Sequence, residues 1–491
     1  MEIRLKNIGI VKDSTITVDG LTIITGKNNS GKTTVGKTLY ALLEAVSNIQ
    51  AKARGDRAQC IIDSFDEVTD TLDMFRYLWH VERGKKESEE NNPLLAYPAI
   101  YALITRNYKF DRSYSELELF AHRLYDELLS LDIKKLSEEK PLQGYLRHFV
   151  AVRRGANSII DAVVNQRDKA VAVLDKLFSV LDKDPQLIEY ARESINQTLR
   201  QEFSNQIQPV SVDVESSKVE ISNDGVLCFN INIANNNVVN DGSPVFTTSP
   251  YKKVYLIDDP FLMDDFEDSP RMIRHLGSSS IGEINSILNP RNILSHNEKL
   301  KYILRRKHQP SILEQTVLNE SLKKVKQEID SILPGSFEFS PDGAYYVQNG
   351  HKLNVSNLAT GSKMFSIIKI LIDKGEIDNS TMLILDEPEA HLHPSWQNHF
   401  AEVIVLLVKE LNVNILLTTH SSNFVLALDA YMRKHSIEEK TNFYQTNFLE
   451  DHLVEYACAN DDIGSIYQDF LAYLSEVKML RNECIRSAGD N

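Results

Sequence analysis

Residues 26–33 read Gly-Lys-Asn-Asn-Ser-Gly-Lys-Thr, a spacing of glycines, lysine and hydroxyl that suits the binding of phosphate groups. The apolar run Leu21–Thr25 before it predicts a buried strand, and residues 34–46 after it predict a helix. In that setting, backbone N–H groups and the positive helix end face the phosphates. Lys32 is expected to reach the β- and γ-phosphates of a bound nucleotide, and Thr33 to bind Mg²⁺. A plain glycine turn before a core helix is the alternative. The predicted nucleotide-binding residues of this loop are Gly26, Lys27, Asn28, Asn29, Ser30, Gly31, Lys32, Thr33 and Thr34.

Two carboxylates follow a second apolar run much later in the chain. Residues 381–387, Thr-Met-Leu-Ile-Leu-Asp-Glu, predict a buried central strand of a parallel sheet. Asp386 is expected to bind Mg²⁺ through water, and Glu387 to orient the water that attacks the γ-phosphate. Residues 413–419 predict the next strand, and His420 at its end is placed to sense the γ-phosphate. Glu387 and His420 are therefore the predicted catalytic residues, and Thr33 and Asp386 the predicted metal ligands. Two solvated acids at a strand end are the alternative.

Residues 357–363, Asn-Leu-Ala-Thr-Gly-Ser-Lys, lie between these motifs and precede an apolar segment that predicts a helix. A phosphate-binding loop, this Leu-x-x-Gly-x-Lys helix start, Leu-Asp-Glu-Pro and Thr-His, in that order, resemble the motif set of ABC-type ATPases. The similarity is to the RecF, SMC and overcoming-lysogenisation ATPases rather than to the transporters, and it covers roughly residues 1–45 and 353–430. It implies an α/β fold of the P-loop NTPase type: a mixed sheet flanked by helices, a small antiparallel β lobe and an inserted helical arm.

The resemblance also implies a homodimer, with higher oligomers left open. ATP held by the loop of one subunit would be closed by the signature segment of the other. In this family the signature usually reads Leu-Ser-Gly-Gly, and its serine position is Ala359 here. Because that hydroxyl contacts the γ-phosphate, hydrolysis is expected to be slow unless Thr360 supplies the contact. The residues expected to close the partner's site are Leu358, Thr360, Gly361, Ser362 and Lys363.

Residues 358–375 and 384–397 look most like the stand-alone ATPases of bacterial anti-phage systems, of which Septu and PARIS are examples. This resemblance implies a sensor or scaffold that controls a separately encoded toxic effector, for example an HNH or TOPRIM nuclease. Residues 431–491 contain no D-x-D, so the nuclease of the overcoming-lysogenisation class is not expected here. A RecF/SMC-like ATPase of DNA repair or chromosome maintenance is the alternative. A transporter ATPase fits least, because of the long insertion before the signature.

Composition narrows the class of protein. The chain has 491 residues, 42% hydrophobic and 25% charged, which suits a soluble core with an insertion. Its four scattered cysteines, without a C-x-x-C, indicate a reducing cytoplasm and no zinc site. A net charge of −15 argues against a protein coated in nucleic acid. No apolar run is long enough to predict a membrane span.

Changes of hydrophobic period divide the chain into six predicted segments. These are a first ATPase core segment (1–54), a helical insertion (55–205), a β lobe with a core strand (206–265), a second helical arm segment (266–335), a second ATPase core segment (336–430) and a C-terminal tail (431–491). The core strand, residues 254–257, ends in Asp258-Asp259-Pro260-Phe261. This position resembles that of the family's Q-loop, although the usual glutamine is absent. A simple strand-end turn is the alternative.

Two other clusters leave alternatives open. The basic run Lys299, Lys301, Arg305, Arg306, Lys307 and His308 could contact nucleic-acid phosphates, or it could be a solvated helix face. Glu389, His391 and His393 have a spacing that could hold a metal. A loop that crosses the dimer interface is the other interpretation of these three residues.

Overall fold

The computed structural model describes residues 1–84, 93–105, 113–140, 143, 159–183, 186–243, 245, 248–266, 295–306, 312–340, 343–468, 475 and 477–481. Within these residues, contacts divide the protein into two units. Unit 1 contains residues 1–49, those between 188 and 266 and those from 295 onward. Unit 2 contains the residues between 50 and 187. None of the described helices combines the length and hydropathy that a bilayer span requires.

Unit 1 is built on one mixed sheet, whose described strands run in the order β6-β5-β4-β1-β2-β14-β13-β3-β12-β11-β7. A second, antiparallel sheet has the order β10-β9-β8. The strands are β1 (Glu2–Ile8), β2 (Val11–Thr17), β3 (Leu21–Thr25), β4 (Ser217–Asn223), β5 (Val226–Ala234), β6 (Asn237–Val238), β7 (Lys253–Ile257), β8 (Ser336–Ser340), β9 (Gly343–Gln348), β10 (His351–Asn354), β11 (Thr381–Asp386), β12 (Asn414–Thr419), β13 (Thr441–Phe448) and β14 (Val454–Cys458).

The central strands β13, β3, β12, β11 and β7 are mutually parallel. Both faces of these strands are covered, which explains why their sequences are continuous apolar runs. In β11, Leu383 and Leu385 pack into one apolar layer, and Met382 and Ile384 pack into the other. The α/β fold predicted from the motifs, a mixed sheet flanked by helices, is confirmed.

Helices cover the two faces of the main sheet. α1 (Lys32–Val46) contributes Leu39 and Leu43 to one layer. The other layer contains α11 (Thr360–Asp373), α12 (Pro394–Leu411) and α13 (Ser422–His435), which meet through Phe365, Phe400 and Phe424. The remaining described helices are α2 (Ile49–Thr71), α3 (Asp73–Gly84), α4 (Pro98–Ile104), α5 (Tyr114–Leu129), α6 (Ile133–Glu138), α7 (Ile159–Leu181), α8 (Leu187–Glu202), α9 (His296–Arg305) and α10 (Ile312–Ile332).

Unit 2 is helical, and α2 to α7 share their own apolar core around Phe65, Phe75 and Leu124. Helix α5 begins at a capping box, in which Ser113 and Glu116 each bond the backbone of the other. Helix α8 follows unit 2 in the chain, and its Ala191, Ile195 and Leu199 pack in unit 1. Of the second arm segment expected over 266–335, residues 267–294 and 307–311 lie outside the described residues.

Two segments lie in the sheet in ways that their local patterns did not indicate. The antiparallel strands β4 to β6, expected as a small antiparallel lobe, form one end of the main sheet because β4 pairs with β1. Residues 336–354 form the second, smaller antiparallel sheet. The predicted tail contributes β13, which pairs with β3, and β14, which pairs with β2. Pairing partners of this kind are chosen by the tertiary fold, because each strand's own alternation is the same in either place.

Candidate active site

The loop at residues 26–31 turns directly from β3 into α1. Gly26 has a φ of 158°, and a Cβ atom there would lie 1.8 Å from Thr446 Oγ1. Gly31, the residue before the helix, has a φ of 72°. A side chain at either position would be strained or would collide, so the backbone path requires glycine at both.

Lys32 is the first residue of α1 and its side chain is 4% exposed. Its ammonium donates to the carbonyl oxygens of Lys27, at 2.8 Å, and Gly26, at 3.2 Å. The same ammonium lies 3.2 Å from Glu387 Oε1. The lysine thus joins the loop to the carboxylate at the end of β11.

Thr33 and Asp386 are brought together by the parallel sheet. Thr33 donates from Oγ1 to Asp386 Oδ2 at 2.7 Å, and Thr418 donates to the other carboxylate oxygen. Burial raises the pKa of Asp386, the two hydroxyl hydrogen bonds oppose that rise, and the nearby Glu387 charge adds to it. Hydroxyl and carboxylate oxygens are the ligands that Mg²⁺ prefers, so these two side chains fit that ion.

Glu387 follows β11 in a left-handed conformation, with a φ of 47°. Its backbone N–H donates to both the carbonyl and the hydroxyl oxygen of Thr418, each at 3.1 Å. This anchoring holds a conformation that is costly for a residue with a side chain. The carboxylate is then placed between Lys32 and His420, whose Nδ1 lies 3.1 Å from Glu387 Oε2.

The other residues of the loop differ in exposure. Lys27, Asn28 and Asn29 are not buried, whereas Ser30 and Thr34 are. Ser30 Oγ has no hydrogen-bond partner among the described residues. An unpartnered buried hydroxyl at the base of a loop with two required glycines fits a site built for a polar ligand.

The segment 358–363 forms the start of α11, with Ala359 as its exposed N-cap. Thr360 and Gly361 line a cavity of about 130 Å³ that Asp386 and Glu387 also line. Ser362 and Lys363 are buried, and Leu358 packs against the core. The Lys363 ammonium is held by Asp264 and by the carbonyl of Ser356. Within this subunit, the residues of the segment that remain accessible at the start of α11 are therefore Ala359, Thr360 and Gly361.

Three further residues meet at the site, and the motifs did not single out their roles. Glu389 is 1% exposed, and its Oε1 accepts from the Thr419 hydroxyl and from the His420 N–H. Tyr456 donates to the Gly31 carbonyl at 2.6 Å. Asp258 lines the same cavity as Asp386. The sequence drew attention to Asp258 by its position at a strand end and to Glu389 by its spacing from His391 and His393, and it gave no signal for Tyr456.

The spacing of Glu389, His391 and His393 does not produce a metal site. Glu389 points to Thr419, His391 lies against the Phe261 ring, and His393 caps α12 by accepting from the Ser395 N–H. No group of three or more metal-ligating side chains occurs among the residues that the structure describes.

Two basic residues of the run, Lys299 and Arg306, are paired inside the fold. Lys299 binds Glu44 and the Val254 carbonyl, and Arg306 binds the buried Glu376. Residues 307 and 308 lie outside the described portion of the chain. Charges compensated within the fold are poorly placed to neutralise nucleic-acid phosphates.

Comparison with known proteins gives a family and a set of distant structures. The family model described as "AAA ATPase domain" matches residues 1–425. No curated protein matches. The SMC head domain from Thermotoga maritima is 10% identical, with 93% of this chain and 97% of that chain covered and a TM-score of 0.33. An Smc head domain bound to the C-terminal domain of ScpA, from Pyrococcus furiosus, is 10% identical. The match covers 97% of this chain and 98% of that chain, with a TM-score of 0.29.

Proposed function

The chain belongs to the AAA ATPase domain family, and on that premise we propose that it binds ATP at residues 26–33 and hydrolyses it slowly. The observation that carries the proposal is the convergence of Lys32, Thr33, Asp386, Glu387 and His420 at the carboxyl ends of β3, β11 and β12. Ligands of open parallel sheets bind at this edge.

Each side chain has a separate task in this proposal. Thr33 and Asp386 would hold Mg²⁺, which would supply positive charge beside the phosphate oxygens when bound. Glu387 orients the attacking water and accepts its proton, and His420 holds the far side of the Glu387 carboxylate. Lys32 binds phosphate oxygens. Since Lys32 now contacts Glu387, phosphate binding competes for that contact and frees Glu387 to act on water.

Slow turnover is supported by Ala359, which offers no hydroxyl at the start of α11. We propose that two copies close on ATP, each presenting its first turn of α11 to the loop of the other. That turn contains the exposed Ala359 and the half-buried Thr360 and Gly361, whereas Lys363 is engaged inside its own subunit. The proposed role of Lys363 is therefore to hold this turn in place rather than to contact the nucleotide.

We further propose that the dimer is the sensor or scaffold of a bacterial anti-phage system and works in the cytoplasm with a separately encoded effector. The support is the likeness of residues 358–375 and 384–397 to such ATPases, together with the net charge of −15. A DNA-repair clamp of the RecF/SMC type is the rival function. A nuclease gene beside this one, and loss of phage protection when either gene is removed, would favour defence. Repair or replication genes there, with sensitivity to DNA damage, would favour the rival.

The biochemical side of the proposal is tested by calorimetry with Mg·ATP, phosphate release and light-scattering mass, each with and without nucleotide. We expect binding, slow release of phosphate and a doubling of mass with ATP. If the protein binds and hydrolyses ATP but its light-scattering mass does not change, the proposed dimer is wrong and the ATPase activity stands. A chain that neither binds nor hydrolyses ATP would overturn the function.

A further inference from the structure

A buried histidine lies between two carboxylates behind the candidate active site. His296 is 8% exposed and begins α9. Its Nδ1 lies 2.7 Å from Glu202 Oε2, and its Nε2 lies 2.9 Å from Asp258 Oδ1. An ionised carboxylate only accepts hydrogen bonds, so two ionised partners require a hydrogen on each ring nitrogen, which makes the imidazole a cation.

The surroundings favour these charges. Burial alone would lower the pKa of His296, but the hydrogen bonds and charges of Asp258 and Glu202 outweigh burial and raise the pKa to about 9. Burial would likewise raise the pKa of Asp258, but His296 and the Lys37 charge keep the pKa below its usual value. Asp258 is therefore an anion at neutral pH, held by a cation that is itself anchored to Glu202 at the end of α8.

Asp258 faces the reaction site on its other side. The parallel register pairs Ile257 of β7 with Leu385 of β11, so Asp258 and Asp386 are the next residues at the same sheet edge. Both line the cavity of about 130 Å³ with Glu387, and the Asp258 charge contributes to the raised pKa of Asp386. Asp258 Oδ1 is engaged by His296 and, at 3.5 Å, by the Asn297 side-chain amide, and the Asp258 side chain remains 21% exposed. A polar cavity of this size accommodates ordered water.

We propose that Asp258 is a further positioning residue for ATP hydrolysis. Its Oδ2 accepts a hydrogen bond from water in the cavity and keeps that water in line for Glu387, while His296 and Glu202 fix the carboxylate. The inference rests on the proposed ATPase function. It differs from a purely structural ion cluster in one respect: loss of Asp258 should slow the chemical step and leave ATP binding intact.

The test compares Asp258→Asn, His296→Gln and Glu202→Gln with the wild type and with Glu387→Gln. His399→Gln is the matched control, because His399 also bonds a carboxylate, that of Glu328 at 2.7 Å, but on the surface. Steady-state phosphate release gives kcat and KM, thermal unfolding gives Tm, and calorimetry in the Glu387→Gln background gives Mg·ATP affinity without turnover.

We expect Asp258→Asn to lower kcat by about tenfold or more, with KM and affinity changed by less than about twofold. His296→Gln should lower kcat by a smaller factor, because glutamine can still donate one hydrogen bond to Asp258. Glu202→Gln, which is one step further from the cavity, should have the smallest effect. His399→Gln should match the wild type.

If the wild type hydrolyses ATP, Glu387→Gln does not, and Asp258→Asn keeps the wild-type kcat, the inference is wrong and the ATPase function stands. If His296→Gln and Asp258→Asn lower Tm but leave kcat unchanged, the inference is also wrong and the ATPase function also stands. If the wild type shows neither ATP binding nor turnover, the proposed function fails and takes this inference with it.

Discussion

The ammonium of Lys32 lies 3.2 Å from the carboxylate of Glu387, although the phosphate-binding loop and the end of β11 are far apart in sequence. A phosphate oxygen that reaches Lys32 must share or displace this contact. Binding and catalysis therefore depend on one pair of side chains, and substitutions at the two positions should separate the two steps.

Lys32→Ala should weaken Mg·ATP binding, because it removes the buried cation at the base of the loop. A hydrogen bond to a charged group contributes about 1.5–3 kcal/mol, or about 10- to 150-fold in Kd. Calorimetry measures the loss, and Lys12→Ala, at an exposed lysine paired with Asp451, is the control. Unchanged affinity in Lys32→Ala would show that the nucleotide site is elsewhere.

Glu387→Gln should bind ATP normally and lose hydrolysis, since an amide cannot take the proton of the attacking water. General-base catalysis typically contributes about 10²- to 10⁴-fold, so phosphate release should fall by at least about 100-fold. Light scattering should then show a dimer that persists on ATP. Glu438→Gln changes an exposed glutamate and should be silent. A Glu387→Gln protein with the wild-type rate would exclude the assigned role.

Ala359→Ser should have two separable effects. Serine is a favoured N-cap, and Ala359 is the N-cap of α11 without a side-chain bond, so stability should rise by about 0.5–2 kcal/mol. Turnover should rise as well if Thr360 does not already supply the signature hydroxyl; if Thr360 does, Thr360→Ala should be the damaging change. Denaturant unfolding and phosphate release distinguish the two effects. If neither variant changes turnover or ATP-driven dimerisation, residues 358–363 do not close a partner's site.

Glu389→Ala should destabilise the protein and slow hydrolysis, because the Thr419 hydroxyl and the His420 N–H lose their acceptor. Leaving a buried donor unsatisfied costs about 1–3 kcal/mol. Burial raises the pKa of Glu389, so the uncharged Glu389→Gln should be tolerated, in contrast to Glu387→Gln two residues earlier. Equal stability of the alanine variant and the wild type would contradict this assignment.

Stability should fall at alkaline pH in a way that depends on His296. The folded-state pKa of His296, about 9, lies above the ordinary histidine value of 6.5. Protonated His296 therefore makes its full contribution to the free energy of unfolding below about pH 6.5. That contribution, roughly 3 kcal/mol as an upper limit, is lost as the pH rises through about 9. The groups around the ring are Glu202, Asp258 and Tyr40. The pKa of Tyr40 is raised far above this range by burial, so it does not titrate there.

Urea unfolding between pH 6 and 10 measures this loss, with His296→Gln as the comparison. The variant should show a flatter alkaline limb than the wild type. Identical alkaline slopes in the two proteins would show that His296 is not the group responsible.

The sequence by itself determined the local features of the site. The glycine spacing at 26 and 31 specified a loop that only glycine can follow, and the apolar runs before Thr25, Asp386 and Thr419 specified buried strands. Such features are readable because backbone conformation and two-sided burial restrict which residues occur at neighbouring positions.

The tertiary structure decided which distant groups meet. It brought the Glu389 carboxylate to the His420 N–H and the Tyr456 hydroxyl to the Gly31 carbonyl. It also placed the His296 ring between Glu202 and Asp258. It also inserted β13 and β14 into the middle of the main sheet. None of these residues carries a local period or spacing that identifies its partner. Strand order and burial set such contacts across long separations, and a buried polar group is satisfied by whichever partner the fold brings within reach.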